Sequence, residues 1–111
     1  MKEILFRGLS VNGNKWVYGH LMYWAGNYQI WETEEDGETH NYLAKPESIG
    51  QFTGLLDKKG KKIFEGDRVK AFGSIYDVVF NDGAFYLRKE NIHHRLSRTI
   101  QDLEVIGNIH E

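Results

Sequence analysis

Apolar and polar residues alternate along this chain in short runs that are divided by glycine-rich turns. Alternation at every second position is typical of β-strands, and Asn-Gly or Asp-Gly between two such runs is typical of a hairpin turn. The pattern therefore predicts a succession of short strands joined by tight turns. The predicted strands cover residues 4–7, 15–24, 28–33, 39–43, 51–56, 63–64, 68–72, 75–80, 84–88 and 103–109.

The longest predicted strand, residues 15–24, has large apolar side chains on both of its faces. Trp24 lies on one face, and Val17 and Leu21 lie on the other. A strand with two apolar faces is expected at the centre of a sheet or under cover on both sides. Gly19 in its middle predicts a bulge or a close approach by another backbone segment.

One segment, residues 91–99, carries the spacing of a helix rather than of a strand. Ile92, Leu96 and Ile100 recur at every fourth position, which makes one apolar stripe on a helix surface. Asn91 is an acceptable N-cap for it. The pattern predicts one short helix from Asn91 to Thr99.

Together these elements predict a mainly β fold with a small α content. We expect two small packed units, each resembling a β-barrel or a β-sandwich, with the short helix in the C-terminal half. The chain is predicted to be a single domain, 1–111, with possible subdomains 1–48 and 49–111. Near this seam, Pro46 predicts either one helical turn or an extended corner, and the sequence leaves both open.

Composition excludes several classes of protein. The absence of cysteine excludes a disulfide scaffold, a thiolate zinc site and a cysteine nucleophile. A formal net charge of −2 does not favour wholesale binding of nucleic acid. The first residues contain no apolar run long enough for a signal peptide or a membrane span, so we expect a cytoplasmic protein without membrane contact.

No group of residues has the spacing of a catalytic, cofactor or metal site. The five histidines include no pair at ligand spacing. The run Glu34-Glu35-Asp36 and the pair of Glu65 and Asp67 are the candidates for acid–base chemistry, but acids in a loop or turn are usually just solvated. No nucleophile elbow or phosphate-binding loop occurs either. We therefore expect no enzymatic activity, no cofactor and no metal.

Cations in the C-terminal half are candidate contacts for nucleic acid. With Tyr76 or Tyr86 beside them, they would suit a groove that follows phosphates and stacks bases. The alternative, which we favour, is a solvated hairpin tip and a solvated face. Nucleic-acid binding requires that the cations share one face, whereas the alternative scatters them. The candidate contacts are Lys58, Lys59, Lys61, Lys62, Arg88, Arg95 and Arg98.

The aromatic residues of the first third of the chain have three possible roles: core, subunit interface or ligand cradle. So short a chain has difficulty covering strands that are apolar on both faces. We therefore predict a homo-oligomer, and the sequence specifies no small-molecule ligand. The residues concerned are Trp16, Tyr18, Tyr23, Trp24, Tyr28 and Trp31.

An ordered set of short motifs spans nearly the whole chain and resembles the YopX-like family of phage and prophage proteins. The motifs are Phe6-Arg7-Gly8, Trp16-Val17-Tyr18-Gly19, Ile30-Trp31, the segments 49–55 and 57–67, Val69-Lys70 and the segment 104–111. The resemblance implies a small, mainly β, cytoplasmic protein of a bacterial cell that carries a phage or prophage. It brings no catalytic residues. The Gly66-Asp67-x-Val69 piece also looks like the opening of SH3-like barrels.

We interpret the shared glycines and acid as structural corner residues: Gly54 and Gly66 where strands must bend, and Asp67 as an acceptor for turn amides. The predicted function is a non-enzymatic, self-associating binding or structural module. The alternative is a nucleic-acid-binding accessory protein that uses the basic C-terminal half.

Overall fold

The computed structural model describes residues 4–33 and 35–110, and strands dominate it. A 3₁₀ helix, Pro46–Ser48, supplies the helical turn that was one of the two predictions for this segment. The strands are β1 (Phe6–Leu9), β2 (Trp16–Trp24), β3 (Asn27–Thr33), β4 (Thr39–Leu43), β5 (Gly50–Leu56), β6 (Lys62–Phe64), β7 (Asp67–Ala71), β8 (Ser74–Asn81), β9 (Ala84–Lys89), β10 (Ile92–Arg95) and β11 (Glu104–Asn108). The prediction of a mainly β fold is confirmed.

The predicted helix from Asn91 to Thr99 is wrong, because its first half is the strand β10. Glu90, at φ 53°, begins a two-residue turn that folds β10 back on β9, where Ile92 is paired with Lys89. A helix this short is marginal in water, and the open edge of β9 satisfies the same backbone groups in a ladder. No α-helix occurs in residues 4–33 and 35–110, and no helix there is long and apolar enough to cross a membrane.

The chain divides into two compact units, unit 1 (Met1–Gln51) and unit 2 (Phe52–Glu111). In unit 1 the strands are ordered β4-β3-β2-β1, all antiparallel, and β1 also pairs with the beginning of β5 through Arg7 and Gly50. The core of unit 1 lies on one face of this sheet. Its buried members are Val17, Ile30 and Ala44, with Phe6, Leu21, Tyr42 and Ile49 packed against them.

Another backbone segment approaches Gly19 of β2 closely. A Cβ atom built on Gly19 would lie 2.0 Å from the carbonyl oxygen of Trp31. The close approach predicted for this glycine is thus present, and β2 lies between β1 and β3, as a strand with two apolar faces should. Only a residue without a Cβ fits this position.

The backbone of Ala25, in the turn between β2 and β3, adopts a φ of 52°, which is strained for alanine. Gly26 follows it at φ 81°. Two consecutive positive φ values belong to a type I′ turn, in which Asn is favoured at the first position and alanine is strained. We expect Ala25→Asn to raise the free energy of unfolding by about 1 kcal/mol. Urea unfolding followed by tryptophan fluorescence measures this, and Gly26→Ala in the same turn should lower the value instead. No gain from Ala25→Asn would contradict the turn assignment.

In unit 2 the strands of the larger sheet are ordered β10-β9-β8-β7-β11, again all antiparallel. The remainder of β5 forms a hairpin with β6, with Phe52 opposite Phe64. One face of the sheet covers the core of this unit. The buried members of the core are Ile63, Val69, Ala71, Tyr76, Val78, Leu87, Leu96 and Leu103.

Candidate functional site

An exposed layer of apolar side chains covers the face of the unit 1 sheet that is turned away from its core. Directly paired residues project to the same face of a sheet, so His20 and Trp31 share a face, and Trp31 shares it with Asn41. By strand alternation the same face carries every second residue of β2 up to Trp24. We define the aromatic face of unit 1 as Tyr18, His20, Met22, Trp24, Trp31 and Leu43.

Exposure of the aromatic face rises towards the end of the β2–β3 hairpin. The exposed fraction is 43% for Tyr18, 48% for Met22 and 72% for Trp24. On the opposite side of the same hairpin end, the rings of Tyr23 and Tyr28 lie 4.8 Å apart and are also exposed. The end of the hairpin therefore presents aromatic rings on both of its sides, which is typical of a surface that meets another protein.

Polar groups hold part of this face in place. The side-chain oxygen of Gln29 accepts hydrogen bonds from Nε1 of Trp31 at 3.0 Å and from Nδ2 of Asn41 at 3.3 Å. The indole of Trp31 is therefore oriented by its own sheet and does not need a partner for its N–H. Fixed rings lose little conformational freedom when a partner covers them.

The lysine-rich loop between β5 and β6 is organised by one buried carboxylate, that of Asp57. Its Oδ1 accepts hydrogen bonds from the amides of Lys59 and Lys61, and its Oδ2 accepts one from the amide of Val105, all at 2.8–2.9 Å. Burial raises the pKa of Asp57, but these amides and the charge of Lys61 outweigh burial and hold it below its ordinary value of 3.8. Three backbone amides thus occupy most of the acceptor positions of the carboxylate, which gives Asp57 the character of a structural residue.

Two of the loop lysines share one acid as their counter-charge. The carboxylate of Glu104 lies 3.0 Å from Nζ of Lys59 and 3.5 Å from Nζ of Lys58. The hydrogen bond from Lys59 lowers the pKa of Glu104 and raises that of Lys59. Lys62 lies over the ring of Phe52, with Nζ 5.7 Å from the centroid. The loop is therefore held by internal contacts, while its lysine side chains remain exposed and carry more positive charge than Glu104 offsets.

Arginines of β9 and β10 do share a face with other cations. Arg88 is paired with Asp77 of β8, and Asp77 is paired with Arg68 of β7, so all three lie on the face of the unit 2 sheet opposite its core. Arg95 joins them through its pairing with Tyr86. We define the basic face of unit 2 as Arg68, Lys70, Ile75, Asp77, Tyr86, Arg88, His93 and Arg95.

The other predicted nucleic-acid contacts lie elsewhere. Arg98 follows β10 in a turn and lines a cavity of about 270 Å³ together with Gly54 and Leu56. Lys89 projects to the side of β9 opposite Arg88 and donates to Oγ of Ser74 at 3.2 Å. The structure thus brings Arg88 and Arg95 together and leaves Arg98 apart from them.

A cavity of about 730 Å³ lies in unit 2 at the turn between β7 and β8. Phe72 in this turn adopts φ 52° and is 60% exposed, with its ring 5.0 Å from that of His94. Opposite charges line the cavity, since Lys58 and Lys70 face it together with Asp102 and Glu104. The balance of charge gives this cavity no net preference for an anion or a cation.

The remaining candidates for site chemistry are dispersed. In residues 4–33 and 35–110, no group of three or more His, Asp or Glu side chains could hold a metal ion. His93 and His94 point to opposite faces of β10, one beside Tyr86 and the other beside Tyr76. Of the acidic run that was a candidate for acid–base chemistry, Glu34 lies outside the described residues, and Glu35 and Asp36 are exposed.

Comparison with known proteins identifies the family. The model of the YopX protein family matches residues 5–111, essentially the whole chain. The chain belongs to the YopX family. A crystal structure of protein EF1440 from Enterococcus faecalis is similar in fold, with a TM-score of 0.59 and 20% sequence identity over 99% of this chain and 95% of that one. Among curated proteins, no relative matches.

The YopX-family motif residues that were predicted to form corners lie in backbone conformations that suit glycine. Gly54, at φ 88°, lies where the register of β5 and β6 shifts, and Gly66, at φ 92°, lies in the turn before β7. The amide of Gly66 donates to the carbonyl of Val78 at 2.8 Å. Asp67 is buried, and its Oδ2 accepts a hydrogen bond from the amide of Phe64 at 2.8 Å. Their role as structural corner residues stays a prediction that these contacts support.

The sequence of this YopX-family chain indicated two of the four fixed cations of the basic face, Arg88 and Arg95, but not Arg68 and Lys70. Arg68 and Lys70 belong to a strand in which they alternate with the buried Asp67, Val69 and Ala71. That alternation was visible in the sequence. What it could not show is that β7, β8, β9 and β10 lie side by side in one sheet.

Proposed function

We propose that this YopX-family protein is a self-associating binding module without enzymatic activity, and that the aromatic face of unit 1 is its self-association surface. The observation that carries the proposal is the exposure of Trp24, Met22 and Tyr18 on one continuous strand. Contiguous exposed apolar patches on a protein surface mark sites of interaction with other proteins. Trp, Tyr and Met are also the residue types enriched in such interfaces.

A second copy of the same chain is the partner that suits this face best. The fixed charge on this side of the sheet is that of Arg7, which is paired with Tyr18 and lies over the ring of Trp16. Arg7 is only 6% exposed within its own chain, so two copies can cover the exposed rings without desolvating an exposed charge there. The face also borders the edge strand β4. In the described part of the chain, no strand pairs with the outer edge of β4. Its last residue, Leu43, accepts a backbone hydrogen bond there from the amide of Val11. Edge strands of this kind pair with a second copy about a two-fold axis.

Light scattering after size exclusion tests the proposal. At micromolar concentration we expect a mass of at least two chains of 12.9 kDa. Trp24→Glu places a charge at the most exposed ring and should return the protein to one chain mass, because burying an unpaired carboxylate is unfavourable. The matched control is Ile92→Glu in unit 2, which is 50% exposed and should leave the oligomer intact. One chain mass for the unchanged protein would contradict the proposal.

The absence of enzymatic activity is part of the same proposal. It is supported by Asp57 and Asp67, the buried acids of the described chain, whose carboxylates accept hydrogen bonds from backbone amides. Acid–base catalysis requires a carboxyl group that can reach a substrate proton. An activity that Asp67→Asn abolishes in a fully folded protein would overturn this part.

The setting of the module follows from the family resemblance alone. We place it in the cytoplasm of a bacterial cell that carries a phage or prophage. An SH3-like barrel in unit 2 likewise stays a prediction, which rests on the Gly66-Asp67-x-Val69 piece.

A further inference from the structure

A row of polar side chains crosses four neighbouring strands on the basic face of unit 2. Arg68 of β7, Asp77 of β8, Arg88 of β9 and His93 of β10 are directly paired, each with the next. Directly paired residues project to the same side of a sheet. The residues that alternate with them along the strands fill the core on the other side. The row is therefore imposed by the register of the sheet and does not depend on loop conformation.

Positive charge exceeds negative charge on this face. A carboxylate oxygen of Asp77 lies 3.5 Å from Nε of Arg68, and the other lies 4.0 Å from Nη2 of Arg88, so one acid serves two guanidinium groups. Arg95 extends the positive region on the β10 side and is exposed. Lys70 is exposed as well, but it is directly paired with Glu104 of β11, so the excess of positive charge is concentrated around Arg68, Arg88 and Arg95. Guanidinium groups that are only half compensated favour a polyanion.

Apolar and aromatic groups lie between these cations. The ring of Tyr86 packs edge-on against that of His93, with centroids 6.4 Å apart, and it is half-buried in the sheet surface. Ile75 is 52% exposed and lines a groove of about 390 Å³ together with Arg68 and Asp77. A sheet face with rings between cations is the arrangement on which unpaired bases stack while their phosphates are held.

We propose that the basic face of unit 2 binds single-stranded nucleic acid, with Arg68, Arg88 and Arg95 on phosphates and Tyr86 and Ile75 against bases. The occupant is a single strand rather than a duplex because stacking on Tyr86 requires bases that are unpaired and splayed out, which a duplex does not present. The described part of unit 2 has no α-helix, and its basic face is built from the middle of strands. Binding here is independent of self-association through unit 1.

Fluorescence anisotropy with a labelled oligothymidine over a salt series tests the proposal. We expect micromolar affinity at low salt and a slope of log K against log salt of about −2 to −3, from three or four phosphate contacts at about −0.7 each. The double substitution Arg88→Ala and Arg95→Ala should lower affinity at least tenfold and reduce the slope by about 1.4. Lys89→Ala is the matched control, since this neighbouring cation projects from the other side of β9, and it should change affinity less than twofold.

Two further substitutions separate stacking from charge and guard against loss of fold. Asp77→Asn removes the acid that Arg68 and Arg88 share, and it should raise affinity about fivefold, a gain that an unfolded protein does not produce. Tyr86→Leu should lower affinity about tenfold with an unchanged salt slope, because stacking releases no counterions. No binding at low salt, equal losses for Lys89→Ala and the arginine pair, or tighter binding of a duplex of equal length would each overturn the proposal.

Discussion

Gly19→Ala is expected to lower the free energy of unfolding of unit 1 by about 3 kcal/mol, at the upper end for overpacking in a well-packed site. The added Cβ would lie 2.0 Å from the carbonyl oxygen of Trp31, 2.7 Å from its carbonyl carbon and 3.2 Å from the amide nitrogen of Glu32. All three are backbone atoms, so no side-chain rotation relieves the contact. The two strands must separate locally, and the hydrogen bonds between β2 and β3 weaken.

Tryptophan fluorescence during urea unfolding measures this loss, because all three tryptophans lie in unit 1. Gly13→Ala is the matched control. Gly13 has φ 91° in a turn of the same unit, with nothing within 4 Å of an added Cβ, so only backbone strain of about 1 kcal/mol is expected. Equal losses for the two substitutions would show that the close contact at Gly19 does not exist.

Asp57→Asn is expected to lower the free energy of unfolding by about 3 kcal/mol at neutral pH, because hydrogen bonds to a charged acceptor each contribute about 1.5–3 kcal/mol and part of that is retained. The carboxylate serves three amides, and the amide group of Asn would turn a donor towards at least one of them. Urea unfolding followed by circular dichroism measures the loss. Asp102→Asn, at an exposed acid of the same unit, should change the value by less than about 0.5 kcal/mol.

The same substitution makes a prediction about pH. The folded state lowers the pKa of Asp57 from its ordinary value of 3.8, so its ionised form stabilises the fold at pH values above 3.8. As pH falls through the lowered pKa, the carboxylate is protonated and this contribution is lost. The difference in stability between the unchanged protein and Asp57→Asn should therefore be constant at neutral pH and shrink below pH 3.8. A difference that grows on acidification would contradict the assigned hydrogen bonds.

Local signals in the sequence were sufficient for most of the strands. The hairpin of β8 and β9 was predicted because Asp82-Gly83 specifies its turn, and alternation then determines which side chains face the core. The strand β10 was missed because its pairing with β9 outweighs a four-residue apolar period, and periodicity in a window does not report an open sheet edge.

Some features of the candidate sites also follow from local sequence signals, and others depend on how distant strands pair. Alternation along β2 was enough to predict a ring-rich surface around Trp24 that the chain does not fully cover. The ion pairs of Glu104 with Lys58 and Lys59, and the third hydrogen bond to Asp57 from Val105, join residues more than forty positions apart. Such contacts follow from the order of strands in the sheet, which the sequence pattern leaves undetermined.

Amide chemical-shift mapping by NMR tests most directly whether two separate faces carry the binding properties of this chain. A dilution series from millimolar to micromolar protein, followed by titration with oligothymidine, is recorded on one sample. We predict that dilution shifts the amides of β2, β3 and β4 around Trp24, whereas the oligonucleotide shifts those of β7 to β10 around Arg88. The account would be contradicted if neither dilution nor the oligonucleotide changed the chemical shifts. It would also be contradicted if both series shifted the amides of the same strands.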